Sequence, residues 1–173
     1  TSWASPRPRS KPRSNISRLI EDAAHGFRML VAQPDTVTFL GTIIAIHDTQ
    51  HRTVSPVVLG QVPSRVMTII DGQQRLTTLL IINTVLHEYF RLAGRKLKAE
   101  AEPTEWLQQE VQRQLAELSK TFEEDQQYGH GPYRYYPRMI RSFVDQWSTD
   151  KKAIYKSPLA WYLHTYGQHV RDT

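Results

Sequence analysis

The chain has 173 residues, which is sufficient for one ordinary hydrophobic core with a helical appendage. It contains no cysteine, so disulfide bonds and thiolate zinc sites are excluded. Its net charge is +5, and the sequence has neither an apolar run long enough for a membrane span nor a secretory signal. These features predict a soluble, cytoplasmic protein with no membrane partner.

The first 13 residues carry most of the excess positive charge, since they contain four basic residues and no acid. Three prolines in this segment exclude a helix or a central strand. Residues 1–13 are therefore predicted to form an extended basic loop or linker. Two interpretations stay open: an arm that contacts phosphates, or a solvated loop.

The next elements are predicted from hydrophobic spacing and turn residues. A helix over 15–25 begins at the N-cap Asn15, and Gly26 ends it or marks a break. A buried strand follows over 37–47, and residues 57–70 form the second arm of a small sheet.

A core-facing helix is predicted over 73–92, because leucine and isoleucine recur at spacings of three and four. Gly94 is expected to end it. A second amphipathic helix follows from Thr104 to Phe122.

The remaining segments have less regular sequence patterns. Residues 128–137 are rich in tyrosine and glycine, with Arg134 between tyrosines, and form either a loop held on a small core or a surface that stacks on bases. Residues 138–147 are expected to be helical, with Arg141 and Asp145 as a surface ion pair. A last helix is predicted over 158–170.

The most informative segment is residues 69–78, Ile-Ile-Asp-Gly-Gln-Gln-Arg-Leu-Thr-Thr, where a strand pattern meets a helix pattern without a spacer. A helix N-terminus has free N–H groups and a partial positive charge, and both favour an anion. Arg75 adds a planar guanidinium that suits phosphate. The segment therefore predicts a phosphate-binding corner. The alternative interpretation is a turn capped by Asp71 with an arginine on the surface.

Residues 70–79 resemble the sequence signature of the GmrSD-type restriction-enzyme N-terminal domain, which is related to the ParB and sulfiredoxin-like fold. Residues 38–44 are similar to a strand pattern of the same family. A weaker similarity covers residues 136–141, with Asp145 and Trp147 after them. In total, the resemblance extends over residues 14–150.

This resemblance implies a mixed α/β fold with a small ParB/sulfiredoxin-like sheet and flanking helices. Residues 14–94 are expected to be the nucleotide-binding core, and residues 95–173 a mostly helical segment. The Tyr-Gln-Arg block that family members usually carry before the first helix is absent, as is an HNH nuclease arrangement. The chain is accordingly expected to be a piece of a longer protein.

The function implied by the resemblance is binding and hydrolysis of a nucleoside triphosphate (GTP, ATP or CTP) with Mg²⁺. The domain would act as a sensor in restriction and anti-phage defence. Its partners would be DNA, including modified DNA, and a nuclease domain on the same longer chain or on a partner chain.

Roles within the corner follow from the chemistry of phosphate cleavage. Asp71 is the candidate to bind Mg²⁺ or orient water, Gln73 or Gln74 to position the attacking water, and Arg75 to neutralise developing charge. Gly72 offers a backbone amide to phosphate. The remaining candidates for ligand binding are Gly41, where a strand backbone approaches the ligand, and the hydroxyls of Thr77 and Thr78.

The main alternative function is a ParB-like DNA-binding or switch module that binds nucleotide without efficient turnover. A steep salt dependence of DNA affinity would distinguish that module. A direct nuclease is a third possibility, and it would need a clustered acidic metal site, for which Asp71 alone is too little.

Overall fold

The structure is a computed structural model that describes residues 14–53, 63, 65–99, 105–125 and 135–173. The described residues form four helices and two small antiparallel sheets, so the predicted mixed α/β class is confirmed. The predictions for residues 1–13, 57–60 and 128–134 lie outside the described residues. The elements in chain order are α1 (Asn15–Ala32), β1 (Ile44–His47), β2 (Met67–Asp71), α2 (Gln73–Ala99), α3 (Glu105–Phe122), β3 (Glu123–Asp125), β4 (Tyr135–Pro137) and α4 (Pro158–Asp172).

The chain divides into two compact units, residues 1–42 and 43–173. In the first unit, α1 is capped by Ser14, whose Oγ accepts the Ser17 N–H at 3.1 Å, so the predicted cap at Asn15 is wrong by one residue. Gly26 does not end the helix as predicted. It is buried within α1, where a Cβ would lie 2.3 Å from the Thr38 Oγ1. The glycine therefore allows the segment after α1 to pack closely on the helix.

The prediction of a buried strand over 37–47 is wrong in both length and burial. Only Ile44–His47 is a strand, and Val37 and Phe39 before it are 92% and 80% exposed. β1 pairs antiparallel with β2, with a register shift next to Ile44. Within the described residues this sheet has two strands. A two-stranded ribbon buries little of its own surface, which explains why its apolar residues stay exposed.

Helix α2 continues beyond Gly94, which was predicted to end it. Gly94 lies against α3, where a Cβ would be 3.1 Å from the Val111 Cγ1. The contact with α3 thus explains a glycine inside the helix. The core of the second unit forms around Leu80, Phe122 and Leu163, one residue from each of α2, α3 and α4.

The predicted helices over 104–122 and 158–170 are confirmed as α3 and α4 with shifts of one or two residues. By contrast, residues 138–147 form no helix. A short ribbon of β3 and β4 was not predicted; it pairs Glu123 with Pro137. Among the described residues, no helix combines the length and the apolar character that a membrane span requires.

Candidate functional site

The corner between β2 and α2 has the strand–turn–helix geometry that the sequence predicted. Asp71 ends β2, Gln73 begins α2, and Gly72 lies between them with a φ of 87°. This left-handed backbone conformation favours glycine. The Asp71 Oδ1 accepts the Gly72 N–H at 2.7 Å, and the Gly72 carbonyl accepts the Leu76 N–H at 3.0 Å. Local hydrogen bonds therefore fix the turn that places the first turn of α2.

The polar residues of the corner are distributed over different faces of α2, because an α-helix turns by about 100° per residue. Gln73 and Thr77 are four residues apart and share one face. Thr78 lies on a neighbouring face, where its Oγ1 donates to the Gln74 carbonyl at 2.8 Å. Arg75 is half-buried and lies about 200° around the helix from Gln73.

A cavity of about 820 Å³ adjoins the face with Gln73 and Thr77, and Leu76 between them also lines it. This volume is within the usual range for small-molecule sites. The rest of the lining includes residues of β2, residues 138–142 and the beginning of α4, together with Arg65 before β2 and Glu124 on β3. Gln73 and Thr77 are thus the two predicted site residues that line this cavity.

The lining of the cavity is positively charged. Among the described residues, it contains three arginines, Arg65, Arg138 and Arg141, and a single carboxylate, Glu124. Arg138 forms an ion pair with Glu124. Within the described part of the lining, the guanidinium groups of Arg65 and Arg141 outnumber the carboxylates, and such a surface attracts anions.

Asp145 holds the segment that carries Arg141, but not through the surface ion pair that was predicted. Its carboxylate is buried, at 3% exposure, and accepts backbone N–H groups from Arg141 at 3.1 Å, Lys156 at 2.6 Å and Ser157 at 3.1 Å. Burial acts to raise the pKa of Asp145, but hydrogen bonds from Ser157, Arg141 and Lys156 outweigh it, and the pKa is lowered. A carboxylate that binds backbone N–H groups competes with helix formation, which explains why residues 138–147 are not helical.

The remaining predicted site residues lie outside this lining. Asp71 is exposed at the end of β2, and the described residues contain no group of three or more acidic or histidine side chains arranged for a metal ion. Gly41 belongs to the first unit and has a φ of 106°, a conformation that favours glycine. Its role in ligand binding stays a prediction.

Sequence reasoning did not assign a site role to Arg65, Arg138 or Arg141. The similarity of residues 136–141 to a downstream block of the family was the available signal for two of them. The sequence does not show that the segment with Arg138 and Arg141 lies beside α2. Met139 in that segment is 62 residues from Thr77 along the chain, yet the Thr77 Oγ1 and the Met139 sulfur are 4.0 Å apart.

Comparison with known proteins gives one family assignment. The family model described as "GmrSD restriction endonuclease, N-terminal domain" matches residues 7–158. The matched region includes the corner, the arginines of the cavity and Asp145. No curated protein matches the chain.

Proposed function

This chain belongs to the family of GmrSD restriction endonuclease N-terminal domains, and from that premise we propose that it binds and hydrolyses a nucleoside triphosphate. It is an N-terminal module of a restriction or defence protein. In the proposal, nucleotide turnover beside the β2–α2 corner is a sensing step. That step controls a nuclease outside this chain, which acts on foreign or modified DNA.

One observation carries the proposal: Gln73 and Thr77 from the first turns of α2 line the same cavity as three arginines. A triphosphate has three or four negative charges near neutral pH, and an arginine-rich surface next to a helix N-terminus favours such a group. The cavity is also large enough for a small molecule such as a nucleotide.

The proposed roles follow the distribution of side chains around α2. Gln73 and Thr77 contact the ligand within the cavity, and Gln73 orients the attacking water. The backbone amide of Gln73 binds a phosphate oxygen at the helix N-terminus. The Gly72 amide, also a predicted phosphate ligand, instead donates to the Asp71 Oδ1. Arg75 approaches the phosphates from the other side of the turn and neutralises charge that develops during cleavage. Gln74 and Thr78 assist Arg75 on that side of the helix.

Magnesium fits this set of residues on chemical grounds. Proteins commonly bind Mg²⁺ through one or two carboxylates together with phosphate oxygens of the substrate. Asp71 would hold the ion through the carboxylate oxygen that does not accept the Gly72 N–H. When bound, the ion neutralises part of the phosphate charge.

The experiment that tests the proposal is a panel of GTP, ATP and CTP, each with Mg²⁺. Thermal shift measures binding and release of inorganic phosphate measures turnover. We expect one nucleotide to raise the melting temperature and to be hydrolysed, and we expect Gln73→Ala and Arg75→Ala to remove turnover.

Arg113→Ala is the matched control, because Arg113 lies on α3 in an exposed ion pair with Glu110, outside the cavity lining. Turnover by Arg113→Ala should equal that of the unmodified chain. A flat thermal response to all three nucleotides, together with no phosphate release, would contradict the proposal.

A further inference from the structure

We infer that the cavity contains a built polyphosphate-binding wall, in which Arg141 contacts the phosphates and Asp145 positions Arg141. The wall comprises residues 138–142 together with Ser157 and Leu159 at the beginning of α4, all of which line the cavity. The buried Asp145 bonds to both parts of the wall. The identification of the polyphosphate as the tail of a nucleotide rests on the proposed function. The wall itself does not depend on turnover.

The first argument is the way in which Asp145 is bonded. Its Oδ2 accepts the backbone N–H of Arg141, and its Oδ1 accepts the backbone N–H groups of Lys156 and Ser157. One buried carboxylate thus joins the segment with Arg141 to the beginning of α4. Two chain segments that lie 15 or more residues apart are held in one wall by this group.

The second argument is that these bonds do not involve the guanidinium of Arg141. Asp145 binds the backbone N–H of Arg141, and no ion pair joins these two described side chains. Arg141 forms no ion pair with any described residue, whereas Arg138 in the same wall is paired with Glu124. Arg141 is therefore the member of the wall whose charge is free to meet a ligand.

The third argument is the N-terminus of α4, a helix of 15 residues. Ser157 is its N-cap, Pro158 follows at the first helical position, and the Ser157 side chain caps no N–H group of the helix. The partial positive charge of a helix N-terminus favours an anion. Ser157 and Leu159 line the cavity, so this helix end contributes to the same surface as Arg141.

The fourth argument is that the segment is already ordered before a ligand binds. The Trp147 Nε1 donates to the Pro137 carbonyl at 2.7 Å, which closes the segment from 138 to 147 at its base. Together with Asp145, this bond fixes the backbone on both sides of Arg141. A binding residue that is held in place in advance loses less entropy on binding.

Binding of inorganic tripolyphosphate without added metal tests the inference, with isothermal titration calorimetry on the full chain. We expect the unmodified chain to bind, and Arg141→Gln to weaken binding by about tenfold, because a charge-assisted contact is lost. The melting temperature without ligand should stay unchanged, since Arg141 is exposed. Arg113→Gln on α3 is the matched control and should bind as the unmodified chain does.

Asp145→Asn tests positioning. The remaining carbonyl oxygen can still accept the Lys156 and Ser157 N–H groups, but the amide no longer accepts the Arg141 N–H. We expect binding to weaken, and the double variant Asp145→Asn/Arg141→Gln to bind no more weakly than Arg141→Gln alone. A purely structural role for Asp145 would instead give additive losses and would overturn the positioning argument.

The outcome separates this inference from the proposed function. Arg141-dependent binding of tripolyphosphate without any turnover of GTP, ATP or CTP would support the wall and contradict the proposed function. If a nucleotide is hydrolysed but Arg141→Gln binds tripolyphosphate like the unmodified chain, the wall is wrong. Failure of the unmodified chain to bind tripolyphosphate would also overturn the inference.

Discussion

Two segments of helix α2 carry polar side chains that are bonded in different ways. The first, residues 73–78, belongs to the candidate site, and two of its side chains bond to carbonyl groups four residues earlier in the chain. The Gln73 Nε2 donates to the Ile69 carbonyl at 2.9 Å, and Thr78 donates to the Gln74 carbonyl.

The second segment, residues 84–91, has local bonds and in addition bonds to α4 and to Thr173 after it. The Thr84 Oγ1 lies 2.8 Å from the Tyr162 hydroxyl, and the His87 Nδ1 lies 2.9 Å from the Tyr166 hydroxyl. Arg91 donates to His169 at 3.1 Å and to Thr173 at 3.0 Å. We expect the side chains that bond to α4 to stabilise the fold, and Gln73 and Thr77 to contact the ligand. The predictions below test this difference.

The largest effect is expected from Phe122→Ala in the core beneath the second segment. Phe122 is fully buried, and its ring centroid lies 5.2 Å from that of His87 and 5.4 Å from that of Tyr166. The cavity left by the ring should lower the free energy of unfolding by about 3–5 kcal/mol, as measured by urea denaturation. Phe39→Ala is the matched control, since Phe39 is 80% exposed and its loss should cost about 0.5 kcal/mol or less. Equal losses would contradict the placement of the core.

The next largest effect is expected on turnover. Arg75→Ala should lower nucleotide turnover by about 100-fold or more, because a preorganised group that stabilises developing charge is removed. Its free energy of unfolding should change by less than about 1 kcal/mol.

Arg91→Ala should give the opposite result, because Arg91 bonds to Glu88 and α4. We expect lower stability and unchanged turnover per folded molecule. Phosphate release and urea denaturation on both variants measure the contrast. A large loss of stability in Arg75→Ala with turnover intact would show that the corner is a capped turn only.

A smaller effect is expected from a pair of isosteric changes in the same helix. Thr84→Val removes a hydroxyl at a residue with 1% exposure and leaves the Tyr162 hydroxyl without that partner. The free energy of unfolding should fall by about 1–2 kcal/mol.

Thr77→Val should change stability by less than about 0.5 kcal/mol, since among the described residues the Thr77 hydroxyl has only a 4.0 Å contact with the Met139 sulfur. We expect it to weaken nucleotide binding, which Thr84→Val should leave intact. Calorimetry and urea denaturation on both variants give the comparison. If Thr77→Val binds nucleotide normally, the cavity face of α2 does not contact the ligand.

The smallest effect concerns pH. Burial lowers the pKa of His87 below its ordinary value of 6.5. In the window between that lowered pKa and 6.5, the unfolded chain binds more protons than the folded chain, so stability falls as the pH decreases through about 6.5. Burial has the same effect on the pKa of His164.

Urea denaturation between pH 7.5 and 5.5 measures this dependence. His87→Gln should make the decrease shallower, and the contribution of His164 should remain. A pH profile of His87→Gln that runs parallel to that of the unmodified chain would show that His87 does not contribute.

Several features were determined by the sequence itself, because they depend on local patterns. The strand–turn–helix corner at Asp71 and Gly72 follows from a β-branched run, a turn dipeptide and a helical period placed next to each other. The helices α3 and α4 follow from apolar spacing in the same way, and the family follows from a string of ten residues. Each of these signals lies within one short stretch of chain.

Tertiary structure decided the features that depend on a distant partner. Gly26 and Gly94 were predicted to end helices, but both lie inside helices. Thr38 packs against Gly26 and Val111 against Gly94, so glycine at these positions allows close packing. Residues 138–147 had a helical pattern, yet the Asp145 carboxylate found backbone N–H groups 11 and 12 residues away. Likewise, only the folded chain places the cavity arginines in one lining with the first turns of α2. Local periodicity specifies elements, whereas burial and hydrogen bonding between distant residues specify what each element is used for.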